Sequence, residues 1–303
     1  MKQKHETKKV IGSGLVSLDI LMRGYEETVS YKVGGTCGNV LMILAYMGWD
    51  SYPVARLDKS EQSQMMLDDM QLNGVHNDFV STLDDGVTPI IIQHNIKDRK
   101  GKPTHKFTFR SNKGNLHLDY KPVLKKTVIK VLDELQFIPS VFFFDRVSAA
   151  TLAMAKHFKN RGSIVFFEPS AKAKYTNFNN AVIYSDIIKF AEQRLHDVHF
   201  TETYSNKLFI QTLGSKGLRF NLFGKGWQSL PPVPNENIID TSGAGDWTTA
   251  TFLNEMLEAG LTDVKELTEE NVRQFLSIAQ EKASQSCSYE GARGMMQRKK
   301  YKI

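Results

Sequence analysis

Cysteine is nearly absent from this chain of 303 residues: Cys37 and Cys287 are the two it has. So few and so far apart, they build no disulfide framework and match no metal-ligand spacing. Long apolar runs are missing as well. No window reaches the ~18 apolar residues of a membrane span. The N-terminus is polar and has no apolar core of the secretory type. Internal repeats and low-complexity linkers are also lacking. These absences predict a cytoplasmic protein with no membrane partner. Neither sign of charge dominates: 39 Lys and Arg face 33 Asp and Glu, for a net +6. The basic ends, Lys2-Lys4-Lys8-Lys9 and Arg298-Lys299-Lys300-Lys302, read as solvated tails. No aromatic-basic interleaving suggests a nucleic-acid partner. With 41% apolar and 24% charged residues, the chain can bury one large core and is expected to form a single domain over 1–303.

What is present centres on Asp240-Thr241-Ser242-Gly243-Ala244-Gly245-Asp246. Pro231, Pro232 and Pro234 mark an irregular connection before it. Apolar residues at 247, 250, 253, 257 and 261 follow at helical spacing. A turn of small residues therefore feeds a helix N-terminus. There the first N–H groups lack internal partners and the helix dipole is positive, which suits a phosphate. Gly243 and Gly245 permit close backbone approach. Asp246 stands where it can take a proton from a hydroxyl that attacks such a phosphate. A second glycine string, Gly34-Gly35-Thr36-Cys37-Gly38-Asn39, runs into an apolar segment that reads as a buried helix ending at Gly48. Gly12-Ser13-Gly14 is no dinucleotide fingerprint, because Ser17 stands where its third glycine belongs. Thr212-Leu213-Gly214-Ser215-Lys216-Gly217 lacks the spacing of a P-loop.

From residue 116 onward the pattern alternates helix and strand. Val141-Phe142-Phe143-Phe144 and Ile164-Val165-Phe166-Phe167 are continuous apolar runs of the kind found in a parallel sheet covered on both faces. The expected fold is therefore α/β, a doubly wound, mainly parallel sheet. Ligands of such sheets bind at the carboxyl ends of the strands. Asp145, Glu168, Lys172, Lys189 and Glu192 fall at or just after such ends. Val10–Leu21 is expected to form one strand and Ser51–Leu57 another. Val182–Ile188 reads as a strand, with a helix starting at Phe190.

The two glycine strings resemble the N- and C-terminal signatures of the ribokinase-like, or PfkB, family of small-molecule kinases. The resemblance covers residues 10 to 294. It implies a small β-sheet lid, here residues 25–33 and 88–110, hinged at Gly34-Gly35. It also implies ATP-dependent phosphorylation of a hydroxyl on a sugar-like acceptor. By resemblance Asp246 is the catalytic base, and the amides of Gly243, Ala244 and Gly245 form the anion hole. Asp19, Gly34, Gly35 and Asn39 bind the acceptor. Lys172, Lys189, Thr212, Gly214, Gly217, Cys287 and Gly291 fall on the nucleotide side. Glu192 is placed to organise Mg2+ through water, and Asp240 is a candidate ligand for K+.

Three departures from the family pattern stand out. Lys189 replaces an Asn, Trp247 replaces a small or polar residue and is expected to narrow the pocket, and the glycines around Asp58 are missing. A nucleoside kinase and a non-catalytic sugar or nucleotide sensor are the alternatives, and a homodimer through the lid is left open.

Overall fold

The computed structural model describes residues 7–99, 101, 103–110, 117, 119–170, 175–195 and 199–296. Lys172 and most of the two basic ends lie outside them. The strands are β1 (Lys9–Ser13), β2 (Ser17–Arg23), β3 (Glu27–Gly34), β4 (Asp50–Pro53), β5 (Ala55–Leu57), β6 (Val80–Thr82) and β7 (Ile90–Lys97). They continue with β8 (Pro103–Arg110), β9 (Val141–Phe144), β10 (Ile164–Phe167), β11 (Ile187–Ala191), β12 (Leu208–Thr212), β13 (Leu218–Leu222) and β14 (Trp227–Leu230). The helices are α1 (Thr36–Tyr46), α2 (Glu61–Leu72), α3 (Lys125–Glu134), α4 (Ala149–Asn160), α5 (Tyr175–Tyr184), α6 (Phe200–Thr203), α7 (Ala244–Glu258) and α8 (Glu269–Ser286).

Eight strands form the main sheet in the order β14-β13-β12-β11-β10-β9-β1-β4. It is parallel from β4 to β12 and antiparallel at β13 and β14. The β9 run shows why both faces are covered. Val141 and Phe143 enter an apolar cluster shared with α1, α7 and α8, while Phe142 and Phe144 enter a second one shared with α3, α4 and α5. Its neighbour β10 repeats the arrangement, and Phe144 stacks on Phe167 at 4.6 Å. Each fully buried ring of this kind contributes about 1.5–3 kcal/mol. Among the described residues no helix is long and apolar enough to cross a membrane.

A separate four-stranded sheet has the order β3-β2-β7-β8, and neither stretch expected for the lid enters the main sheet. Helix α2 packs against it through Met66 and Met70, which share a cluster with Leu18 and Val33.

Four local expectations are corrected. Val10–Leu21 is not one strand: the chain leaves the main sheet after Ser13 and re-enters the small sheet at Ser17. Buried Asp145 holds the break by accepting a hydrogen bond from the Leu15 amide at 2.8 Å, where Gly14 has no room for a side chain. Ser51–Leu57 likewise divides between β4 and β5, in different sheets. Val182 belongs to α5, whose Phe178, Ala181 and Val182 share one buried face. Residues 187–191 form a central strand, so Phe190 does not start a helix and Glu192 stands in the turn that follows.

Candidate active site

Helix α7 begins where the small-residue turn predicts. Gly243 is its N-cap in a left-handed conformation, φ 78° and ψ −3°. A side chain there is doubly disfavoured: the backbone is one that L residues rarely adopt, and a Cβ would come within 2.5 Å of the Ala292 Cβ. No side chain caps the helix, and the Ala244 amide makes only a long contact, 3.4 Å, with the Thr241 carbonyl. The start of α1 meets the start of α7, because Asn39 of α1 donates from Nδ2 to Asp246 Oδ2 at 2.8 Å. Two helix N-termini thus converge on one point, and both favour negative charge there.

Asp246 is buried in this corner. Burial first, and the neighbouring Glu168 carboxylate second, push its pKa up from 3.8 to about 8, against the pull of Lys189, the Asn39 hydrogen bond and Arg194. Glu168, at the end of β10, is gripped on both oxygens. Lys189 of β11 pairs with Oε1, and the Thr249 hydroxyl donates to Oε2 at 2.6 Å. The pair lies under the turn that starts α7: a side-chain atom at Gly245 would stand 3.7 Å from Lys189 Nζ and 4.0 Å from Glu168 Oε1. Lys189 therefore places a buried ammonium beside the first amides of α7. Trp247 does not narrow an open pocket. It is buried, its indole N–H donates to the Ala292 carbonyl at 2.9 Å, and its ring meets Tyr46 edge-on.

Above the turn lies the small sheet. Asp19 sits on β2 rather than at the end of the first main-sheet strand. Burial raises its pKa to about 6, opposed by the Ser17 hydroxyl, the Arg293 charge and the Gly35 amide. Gly34 passes directly over the Asp19 carboxylate, and Gly35, φ 75°, caps α1. Arg293 reaches in from the C-terminal segment and pairs with Asp69 of α2, which also accepts from the Val33 amide at 2.7 Å. The Asp240 carboxylate is surrounded by donors: Gln93 and the Gly291 amide at 2.8 Å on Oδ2, and the Ser242 amide at 2.9 Å on Oδ1, with His105 Nδ1 3.5 Å away. The Cys287 carbonyl accepts from the Ile239 and Asp240 amides, which ties the end of α8 to the same loop.

Thr212, Gly214 and Gly217 form the turn after β12, and Glu192 joins it. The Glu192 amide donates to the Thr212 carbonyl at 3.0 Å, and its carboxylate lies 3.9 Å from Lys216. Asp58 proves to be a local organiser, accepting from the hydroxyls of Ser60, Ser63 and Thr88. Among the described residues no three His, Cys, Asp or Glu side chains surround a common point.

Sequence reasoning placed Glu168 at a ligand-facing strand end without a specific role, and did not single out Thr249, Gln93 or Arg293. For Thr249 the signal was available: it stands one helical turn after Asp246. The others come from distant strands and loops, and no local spacing announces them.

A family model described as "pfkB family carbohydrate kinase" matches residues 10–299. No curated protein sequence matches the chain. Among solved structures, fructokinase from Vibrio cholerae O395 in its fructose-, ADP- and calcium-bound form is 17% identical, with a TM-score of 0.72 over 96% of each chain. Aminoimidazole riboside kinase from Salmonella enterica is 17% identical, with a TM-score of 0.69 over 96% of this chain and 97% of its own. An uncharacterised sugar kinase from Pyrococcus horikoshii, in complex with ATP, is 16% identical, with a TM-score of 0.69 over 94% and 93%.

Proposed function

The chain belongs to the pfkB family of carbohydrate kinases, and we propose that it transfers the γ-phosphoryl group of ATP to a hydroxyl of a sugar-bearing small molecule, with Asp246 as the base. The acceptor oxygen forms a bond to phosphorus, the bond from phosphorus to the β,γ-bridging oxygen breaks, and ADP leaves. The hydroxyl proton passes to the Asp246 carboxylate. A base is most effective when its pKa lies near the working pH, and the environment of Asp246 moves it in that direction. Asn39 fixes the carboxylate so that it faces the start of α7.

The amides of Gly243, Ala244 and Gly245 hold the transferring group, whose negative charge the paired helix N-termini favour. Lys189 adds a fixed ammonium beside Gly245. Glu168 holds that ammonium in place and would help orient the waters of Mg2+ when it is bound, while Glu192 pairs with Lys216 in the turn after β11. Mg2+, when bound, neutralises charge on the phosphates. Thr212, Gly214 and Gly217 line the nucleotide side. The small sheet acts as a lid hinged at Gly34 and Gly35, and excludes water over Asp19.

The observation that carries this reading is the Asn39–Asp246 contact between two helix N-termini with Lys189 beside them. An ADP-release screen across sugars, sugar phosphates, sugar acids and nucleosides tests it. Acceptor-dependent ADP release is expected for one of these classes, and none with any class would contradict it.

A further inference from the structure

The inner face of the lid carries an aromatic platform that no sugar ring needs. Strand pairing fixes which residues share that face. Asp19 pairs with Ile91 and Ile91 with Phe109, Leu21 with Gln93 and Gln93 with Phe107, and Arg23 with Asn95 and Asn95 with His105. Residues paired across neighbouring strands point to the same side of a sheet. This side is the inner one. Asp19, Leu21 and Gln93 line a cavity together with Asn39 and Arg293, and His105 reaches to 3.5 Å from Asp240. Phe107 and Phe109 therefore face the same space as the acceptor residues. Their alternate neighbours on β8, Lys106, Thr108 and Arg110, face outward and are polar.

On this face Ile91 and Gln93 of β7 are buried, yet Phe107 is 43% and Phe109 36% exposed. The two rings stand on the same face beyond the residues that line the cavity, next to His105, whose ring lies 4.8 Å from that of Phe107. Neighbouring strands are about 4.8 Å apart, so Phe107 and Phe109 stand about 10 Å across the face from Leu21 and Asp19. That separation is comparable with the length of a nucleoside, from its sugar hydroxyls to the far edge of its base.

We infer that the acceptor is a nucleoside, its sugar hydroxyls at Asp19 and its base against Phe107 and Phe109. The inference rests on the kinase reading for the sugar end and on strand register for the base end. A π-face at the edge of an otherwise polar strand suits a planar heterocycle, and stacking of this kind tolerates any base. A free sugar would leave both rings in water.

Isothermal titration of the full chain with adenosine, guanosine, cytidine and uridine, beside ribose and fructose, tests the inference. At least one nucleoside is expected to bind about tenfold or more tightly than ribose. Phe107→Ala and Phe109→Ala should each weaken that nucleoside by about 5- to 150-fold and leave ribose and ATP affinity within about twofold. Phe107→Leu, which keeps apolar bulk and loses the π-face, should also weaken the nucleoside, and unchanged melting temperatures confirm that these variants fold. Nucleosides that bind no more tightly than ribose would overturn the inference, as would alanine variants that bind as wild type does. A wild-type dimer that Phe107→Ala turns into a monomer in light scattering would also overturn it, because the rings would then cover a second copy. Turnover separates the two readings. Phosphorylation of free sugars with no nucleoside binding leaves the kinase and removes the nucleoside, whereas ring-dependent nucleoside binding with no turnover of any acceptor does the reverse.

Discussion

Asp246 is a carboxylate kept where ionisation is costly, and that cost has a sign. A carboxyl whose pKa is raised by folding contributes stability fully only below its ordinary value of 3.8. The contribution is lost as pH rises from there through about 8. Asp246→Asn is therefore expected to melt at or above the wild-type temperature at pH 9, with the difference reduced or reversed at pH 5. Thermal melts at the two pH values check this. The kcat/KM of the wild type should rise with pH to an inflection near 8, where the free enzyme's base ionises.

Lys189 is the other half of the local balance. Lys189→Met leaves Glu168 and Asp246 without their buried cation, and the loss of one partner of a buried pair costs about 3–5 kcal/mol. Denaturant melts should show that loss, and a magnesium titration should show a higher Mg2+ requirement for half-maximal rate. Asp246 was legible in sequence because its whole motif is contiguous. Asn39 and Glu168 were legible as site candidates but not as its neighbours: Asn39 lies 207 positions away and Glu168 follows strand β10, so only the fold brings them together.

At the scale of elements, the small sheet is wired to the loop before α7 through side chains. Gln93 of β7 donates to Asp240, and Arg23 of β2 pairs with Glu290 at 2.8 Å. Asp240 in turn accepts from the Ser242 and Gly291 amides beside the turn that starts α7. Gln93→Ala should loosen this connection. We expect faster amide exchange over residues 90–97 and 103–110, and a raised acceptor KM with ATP affinity nearly unchanged. Exchange and KM both equal to wild type would contradict the lid role. The hairpin of β7 and β8 was legible because both runs are rich in strand formers around a charged tip. The small-sheet strand β2 was not, because Val10–Leu21 carries no proline or charge where the chain changes sheets. The break is imposed by Asp145, a residue of a different element. Strand β11 was misread for a related reason: a central strand buried on both faces lacks alternation, and Phe190, Ala191 and Leu195 happen to keep helical spacing.

At the scale of the molecule, the parallel sheet brings the ends of β10, β11 and β12 to the same edge as the starts of α1 and α7. The alternation of apolar strands and amphipathic helices made that architecture readable without coordinates. Charge and size set no substrate, which is why the proposed acceptor rests on strand register in the small sheet. The account stands on one claim, that Asp246 takes the proton as the chain phosphorylates a hydroxyl. The direct measurement follows ADP and phosphomonoester formation together, with ATP, Mg2+ and the acceptor found in the screen, for wild type and Asp246→Asn. The account predicts equal amounts of both products for wild type. For Asp246→Asn it predicts a turnover lower by about 10²- to 10⁴-fold, with ATP affinity retained. A variant that keeps more than about a tenth of wild-type turnover would contradict it, against the ~10²-fold minimum expected of a positioned base.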